Sequence, residues 1–116
     1  MATKLVEARS VHITCDTALK DGVLKHIDEL GATGFTWWNA HGKGHRETVP
    51  DVQTISGWHK GFGGENRVCI EVWCSVPVAE KILAYCQEPQ FNGIGMIAAL
   101  QPLLIQEEEA TKWAAK

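Results

Sequence analysis

The sequence predicts an α+β domain, a four-stranded antiparallel sheet with two helices on one face. Three observations carry that prediction. Apolar and polar residues alternate over 4–15 and 67–76, the period of half-buried strands. Two other segments repeat apolar residues at three- and four-residue spacing, the period of helices with one buried face. The elements run strand, helix, strand, strand, helix, strand, which is the order of a split βαβ arrangement.

The first strand, KLVEARSVHITC, places Leu5, Val11, Ile13 and Cys15 on one side, with Glu7 and Arg9 interrupting it. In the helix that follows, Leu19, Val23, Ile27 and Leu30 form the stripe. Asp16 or Thr17 is placed to cap its start, and Gly31 suits a left-handed residue after its end. Residues 34–40, GFTWWNA, read as the second strand from their aromatic and β-branched content. Residues 41–66 are rich in glycine and charge and hold no period, so they read as a long loop of the functional kind. Residues 67–76 form the third strand, and Ser75 and Pro77 suit the start of the second helix, whose stripe is Val78, Ile82 and Tyr85. Residues 96–106 form the last strand, with Pro102 placing it at an edge or a bend. The tail after Gln106 has the composition of a short helix docked by Trp113. The fold expected is a ferredoxin-like βαββαβ sandwich over 1–106, with a tail over 107–116. Trp37, Cys69 and Trp73 are expected on the sheet face away from the helices, which a second copy would cover.

The chain has 116 residues, 45% hydrophobic and 22% charged, which suits one globular domain. A net charge of −3 argues against a dedicated nucleic-acid binder. No apolar run is long enough to cross a bilayer and the first residues lack a secretory signal, so the expected location is cytoplasmic. The four cysteines, Cys15, Cys69, Cys74 and Cys86, form no CxxC pair and read as buried free thiols.

Several patterns bear on chemistry. In GATGFTWWNAHGKGHR, residues 31–46, Gly42 and Gly44 permit close backbone approach, and Lys43 and Arg46 could hold phosphate oxygens. A solvated turn fits the spacing equally well. In FNGIGMI, residues 91–97, the glycines could form an anion-binding nest or end a helix. Among the five tryptophans, one beside a nucleotide could stack on the base, while core or interface packing accounts for the others. His41, His45 and His59, with Glu47 and Asp51, are the only metal-like grouping, without metal-ligand spacing. No nucleophile elbow or paired carboxylates suggest an enzyme.

The segment 31–46 resembles the second-strand region and loop start of PII signalling proteins. It is similar above all to carboxysome-associated PII-like proteins and to the PII-like partner of the cyanobacterial bicarbonate transporter, where the loop start also reads GKG and then a basic residue. VCIEVW around Glu71 and the GIG turn at 93–95 resemble the family's third strand and B-loop, and 41–66 its T-loop. The resemblance spans 4–106.

The resemblance implies a homotrimer with adenine nucleotide sites between subunits. Phe35, Thr36, Glu71 and Trp73 would surround adenine and ribose. Gly42, Lys43, Gly44 and Arg46 would follow the phosphates, Arg67 would add a cation, and Gly93, Ile94 and Gly95 would offer backbone amides. Met96 replaces the family's B-loop lysine, and AALQPLLIQ carries none of the arginines usual on the last strand. Fewer cations favour AMP or ADP over ATP, since each charge-assisted contact is worth about 1.5–3 kcal/mol. The tail lacks the terminal cysteine pair of the transporter-linked relatives. The function expected is a non-enzymatic sensor of AMP or ADP, with bicarbonate as co-ligand, acting through 41–66 on a bicarbonate transporter or a carboxysome-linked protein. It would dock to such a transporter without entering the membrane, and would bind no nucleic acid. The alternative is a trimeric divalent-metal-responsive module of the cation-tolerance type, served by the loop histidines.

Overall fold

The computed structural model describes residues 4–42 and 65–114. Strands β1 (Leu5–Asp16), β2 (Thr36–Gly42), β3 (Glu65–Cys74) and β4 (Ile97–Gln106) form one antiparallel sheet in the order β2-β3-β1-β4. Helices α1 (Lys20–Glu29) and α2 (Val76–Cys86) contribute buried residues to the single core on one sheet face, and α3 (Glu107–Ala114) follows β4. This is the ferredoxin-like arrangement.

The core follows from strand alternation. Val11, Ile13 and Cys15 of β1 stand opposite Val72, Ile70 and Val68 of β3, and all are buried. Val23 and Ile27 of α1, and Ala79, Ile82, Tyr85 and Cys86 of α2, close over them. Each fully buried aliphatic side chain contributes about 1.5–3 kcal/mol. Val78 is only partly buried, so the stripe of α2 is centred on Ala79 and Ile82 rather than on Val78.

Local chemistry sets the boundaries. The Asp16 carboxylate accepts from the Ala18 N–H at 2.9 Å and caps a 3₁₀ turn, Thr17–Leu19, that leads into α1. Gly31 has φ 111°, and a Cβ there would meet Val78 Cγ2 at 3.3 Å. Ser75 stands at the start of α2 but makes no side-chain capping bond. Its carbonyl accepts the first helical bond from Ala79, and Pro77 supplies the preset first turn. Pro102 lies within β4, which is an edge strand, where a missing N–H costs no ladder bond on the open side.

Three expectations are corrected. β2 begins at Thr36, so Gly34 and Phe35 precede the strand. β2 and β3 extend into the expected loop, with His41 opposite Asn66 and Gly42 opposite Glu65; residues 43–64 lie outside the described part. Trp37 pairs with Ile70 and therefore faces the helices, where the Lys20 ammonium sits 3.9 Å from its ring centroid. Trp38, opposite Cys69, takes the other face with Cys69 and Trp73. A shift of one residue in a strand exchanges its two faces, which is why the aromatic pair was ambiguous in sequence.

Candidate functional site

The sheet face turned away from α1 and α2 carries the polar and aromatic side chains. Register places Thr36, Trp38 and Ala40 of β2, Arg67, Cys69, Glu71 and Trp73 of β3, and Ser10, His12 and Thr14 of β1 on it. Trp73 is 51% exposed and Trp38 45%.

A cleft of about 350 Å³ opens at the Trp73 end of this face. Its floor is Glu71 and Trp73 of β3. One wall is the segment 33–36 leading into β2, with Phe35 and Thr36, and the other is α3, with Glu109 and Trp113. Thr36 and Glu71 are cross-strand partners, so the strand pairing itself brings these candidates together. The volume lies within the range of small-molecule sites. Its lining combines aromatic surface with two carboxylates and no cation among the lining residues. Such a surface suits a flat ring with hydrogen-bond donors and disfavours phosphate.

Beside the cleft, His12 joins β1 to β3. Its Nε2 lies 3.0 Å from Ser10 Oγ and 3.2 Å from Glu71 Oε2. The Glu71 carboxylate is thereby tethered from the neighbouring strand. A hydrolytic triad needs the carboxylate on one ring nitrogen and the hydroxyl on the other. Here both meet the same nitrogen, so the trio orients Glu71 and does not activate Ser10.

The second group lies at the other end of β3. Arg67 is 3% exposed, and its guanidinium donates to the carbonyl of Gly95 and, at 3.3 Å, to that of Thr14. The turn carrying Gly95 is anchored by Phe91, which is buried and packs edge-on against Tyr85 at 5.1 Å. Gly93 and Gly95 have φ of 75° and 78°, the left-handed conformation that an amide nest requires. The Ile94 N–H is directed at the Phe91 carbonyl, at 3.4 Å. Arg67 and Glu71 share a face at roughly 3.3 Å per residue, so about 13 Å of strand separates the two groups.

Thus Phe35, Thr36, Glu71 and Trp73 line one cleft, and Arg67 meets Gly95 in a second group with Gly93 and Ile94. Gly42 ends β2. Lys43, Gly44 and Arg46 lie outside the described residues, as do His45, His59 and, in its side chain, His41. Sequence reading missed His12, Glu109 and the contact of Trp113 with this cleft. His12 alternates with Ser10 and Thr14 on the polar side of β1, but only the register reveals Glu71 opposite it.

Cys15 and Cys74 are buried, and desolvation pushes each thiol up to about 11; Cys86 is pushed to about 12 for the same reason. For Cys15 the Arg67 charge partly offsets that rise. These thiols are core groups, and none of them lines this cleft. No described helix is long and apolar enough to cross a membrane.

The family model of nitrogen regulatory protein P-II matches residues 8–103. The chain belongs to the P-II family. Among solved structures, a PII-like signalling protein from Thermus thermophilus is similar, with 25% identity, a TM-score of 0.66, and coverage of 91% of this chain and 96% of that one. The PII-like protein CPII from Thiomonas intermedia, solved with ADP and bicarbonate, shares the fold at 17% identity and a TM-score of 0.68, covering 90% of this chain and 94% of its own. CPII has also been solved with ADP, AMP and bicarbonate together. Among curated proteins, none matches the chain.

Proposed function

We propose that this P-II family member is a non-enzymatic signalling protein that binds AMP or ADP, with bicarbonate as co-ligand. The observation that carries the reading is the cleft in which Phe35, Thr36, Glu71 and Trp73 converge. Adenine and ribose would occupy it. The phosphates would run away from the two carboxylates, toward Gly42, Lys43, Gly44 and Arg46 and the turn of Gly93, Ile94 and Gly95, near Arg67. The absence of any lysine or arginine from β4 favours the shorter nucleotides over ATP. CPII, which shares the fold, was solved with these ligands.

The working assembly would be a homotrimer that covers the exposed Trp38, Trp73 and Ile97 of the outer face. The protein would act in the cytoplasm as one domain over 1–106. Its segment 41–66 would engage a bicarbonate transporter or a carboxysome-linked protein, switched by a nucleotide that binds one conformation of the segment more tightly than the other. The single nitrogen shared by Ser10 and Glu71 supports the non-enzymatic reading.

Isothermal titration with AMP, ADP, ATP and cyclic AMP, each with and without bicarbonate, tests this. ADP or AMP should bind more tightly than ATP, and bicarbonate should raise nucleotide affinity by the factor by which nucleotide raises that of bicarbonate. If no adenine nucleotide binds in either condition, the reading fails.

A further inference from the structure

Of the two carboxylates in the cleft, only Glu71 stands on the sheet, and a titratable group holds it. His12 of β1 is its cross-strand partner. Both contacts of the ring pass through one nitrogen, since Nε2 lies 3.0 Å from Ser10 Oγ and 3.2 Å from Glu71 Oε2. An ionised carboxylate only accepts hydrogen bonds, so Nε2 carries the hydrogen whenever Glu71 is ionised. The neutral ring then keeps its lone pair on Nδ1, and an added proton goes there. Protonation therefore leaves both contacts in place and changes only the charge, from a net negative pair to a neutral one. The His12 side chain is 39% exposed, so the proton exchanges with solvent without opening the sheet. The other groups facing the pair are few. β4 places Ala99 opposite His12, with Ile97 and Gln101 to either side, and β2 presents Thr36, Trp38 and Ala40. On β3 the remaining titratable groups are Cys69 and Arg67, and Arg67 donates to the carbonyls of Thr14 and Gly95. Glu109 shares the cleft and pairs with Lys112 at 3.6 Å.

We propose that His12 sets the charge preference of the cleft: its proton decides how well a phosphate-bearing nucleotide binds relative to an uncharged nucleoside. This deepens the nucleotide reading above and rests on it. With His12 neutral, the Glu71 carboxylate is uncompensated. An uncharged nucleoside loses nothing by that, whereas a phosphate chain is repelled. With His12 charged, the repulsion falls, and Glu71 stays in place to accept from a ribose hydroxyl. Histidine is the side chain whose charge changes between about pH 5 and 8, so the device works in the physiological range. ADP binding therefore gains on adenosine binding as pH falls. His12 acts through Glu71 and needs no contact with the ligand, which makes it a positioning and specificity residue.

The experiment measures adenosine and ADP affinity by calorimetry, on the full-length protein and on His12→Gln. The glutamine amide keeps a donor toward Glu71 but takes no charge, so any pH effect left in the variant reports protonation of the phosphates themselves. Between about pH 8 and about pH 6 the ratio of ADP to adenosine affinity should climb roughly threefold to tenfold more in the unmodified protein than in the variant. The same climb in both proteins overturns the proposal and leaves the nucleotide reading standing. A second measurement needs no variant. At about pH 7, ADP should raise the protonated fraction of His12, read from its ring NMR signals, and adenosine should not, because linkage is reciprocal. A fraction unchanged by saturating ADP also overturns the proposal. If the unmodified protein binds neither ligand at either pH, the nucleotide reading falls and this inference falls with it.

Discussion

The two faces of the sheet are made by the same strands and do opposite work. On β1, Val11, Ile13 and Cys15 point into a closed apolar core, while Ser10, His12 and Thr14, one residue out of phase, point away from it. On β3, Val68, Ile70 and Val72 alternate with Arg67, Cys69, Glu71 and Trp73 in the same way. Period-two alternation thus lets one strand pair specify stability on one side and, in the proposed function, a ligand surface on the other. Changes on the core face should act on folding, and changes on the other face on binding.

The largest effect should come from crossing that divide. Ile13→Ala should cost about 2–5 kcal/mol, since Ile13 is fully buried and the closed core relaxes only partly around the cavity. His12→Ala, one residue away, should cost within about 1 kcal/mol, because its contact with Glu71 is partly exposed. The same change frees the Glu71 carboxylate, so nucleotide affinity should fall. Denaturant unfolding and calorimetric titration of the two variants would separate the faces, and equal unfolding costs would refute the division.

Arg67 is the exception that sharpens the comparison. It belongs to the outer face but, like Ser10 on the same face, is buried as the core is. Arg67→Met should cost about 1–3 kcal/mol by leaving the Thr14 and Gly95 carbonyls without their donor. It should also speed hydrogen exchange in the 93–97 turn. Unchanged exchange there would mean that Phe91 alone holds the turn.

The core also carries a pH dependence. Burial raises Cys15, Cys74 and Cys86 from 9.0 to about 11, 11 and 12. The unfolded chain therefore loses these protons first. Stability is intact below pH 9 and falls as pH climbs from there toward the folded values, by up to about 1.4 kcal/mol per pH unit for each thiol. Thermal unfolding at pH 8 and pH 10 should show the loss, and Cys86→Ala should make the decline shallower. An equal decline in that variant would assign the effect to other groups.

Much of this was legible in the sequence. Alternation located β1 and β3, helical spacing located α1, and Gly31 marked the end of α1, because each depends on neighbours along the chain. Facts that depend on register were not legible. Trp37 and Trp38 exchanged faces because β2 carries no strong alternation of its own to set its phase. The contact of His12 with Glu71 requires β1 and β3 to be aligned first. Glu109 reads as one charge of an acidic helix start until α3 is placed beside Trp73. Phe35, Thr36, Glu71 and Trp73 came from family resemblance, and their convergence on one cleft is a matter of pairing rather than of spacing.

The smallest effect tests how far local signals can be trusted. Asp16 and Ser75 are both cap-type residues at a helical start, and sequence alone ranks them alike. Asp16 accepts the Ala18 N–H at 2.9 Å, whereas the Ser75 hydroxyl makes no capping bond. Asp16→Ala should therefore cost about 1 kcal/mol, and Ser75→Ala only a few tenths. The physical difference is redundancy: Pro77 already presets the first turn of α2, while the entry to α1 passes through a 3₁₀ turn that depends on its aspartate. Equal costs in chemical denaturation would show that the Ser75 hydroxyl captures an N–H of α2 in solution, and that composition was the better guide.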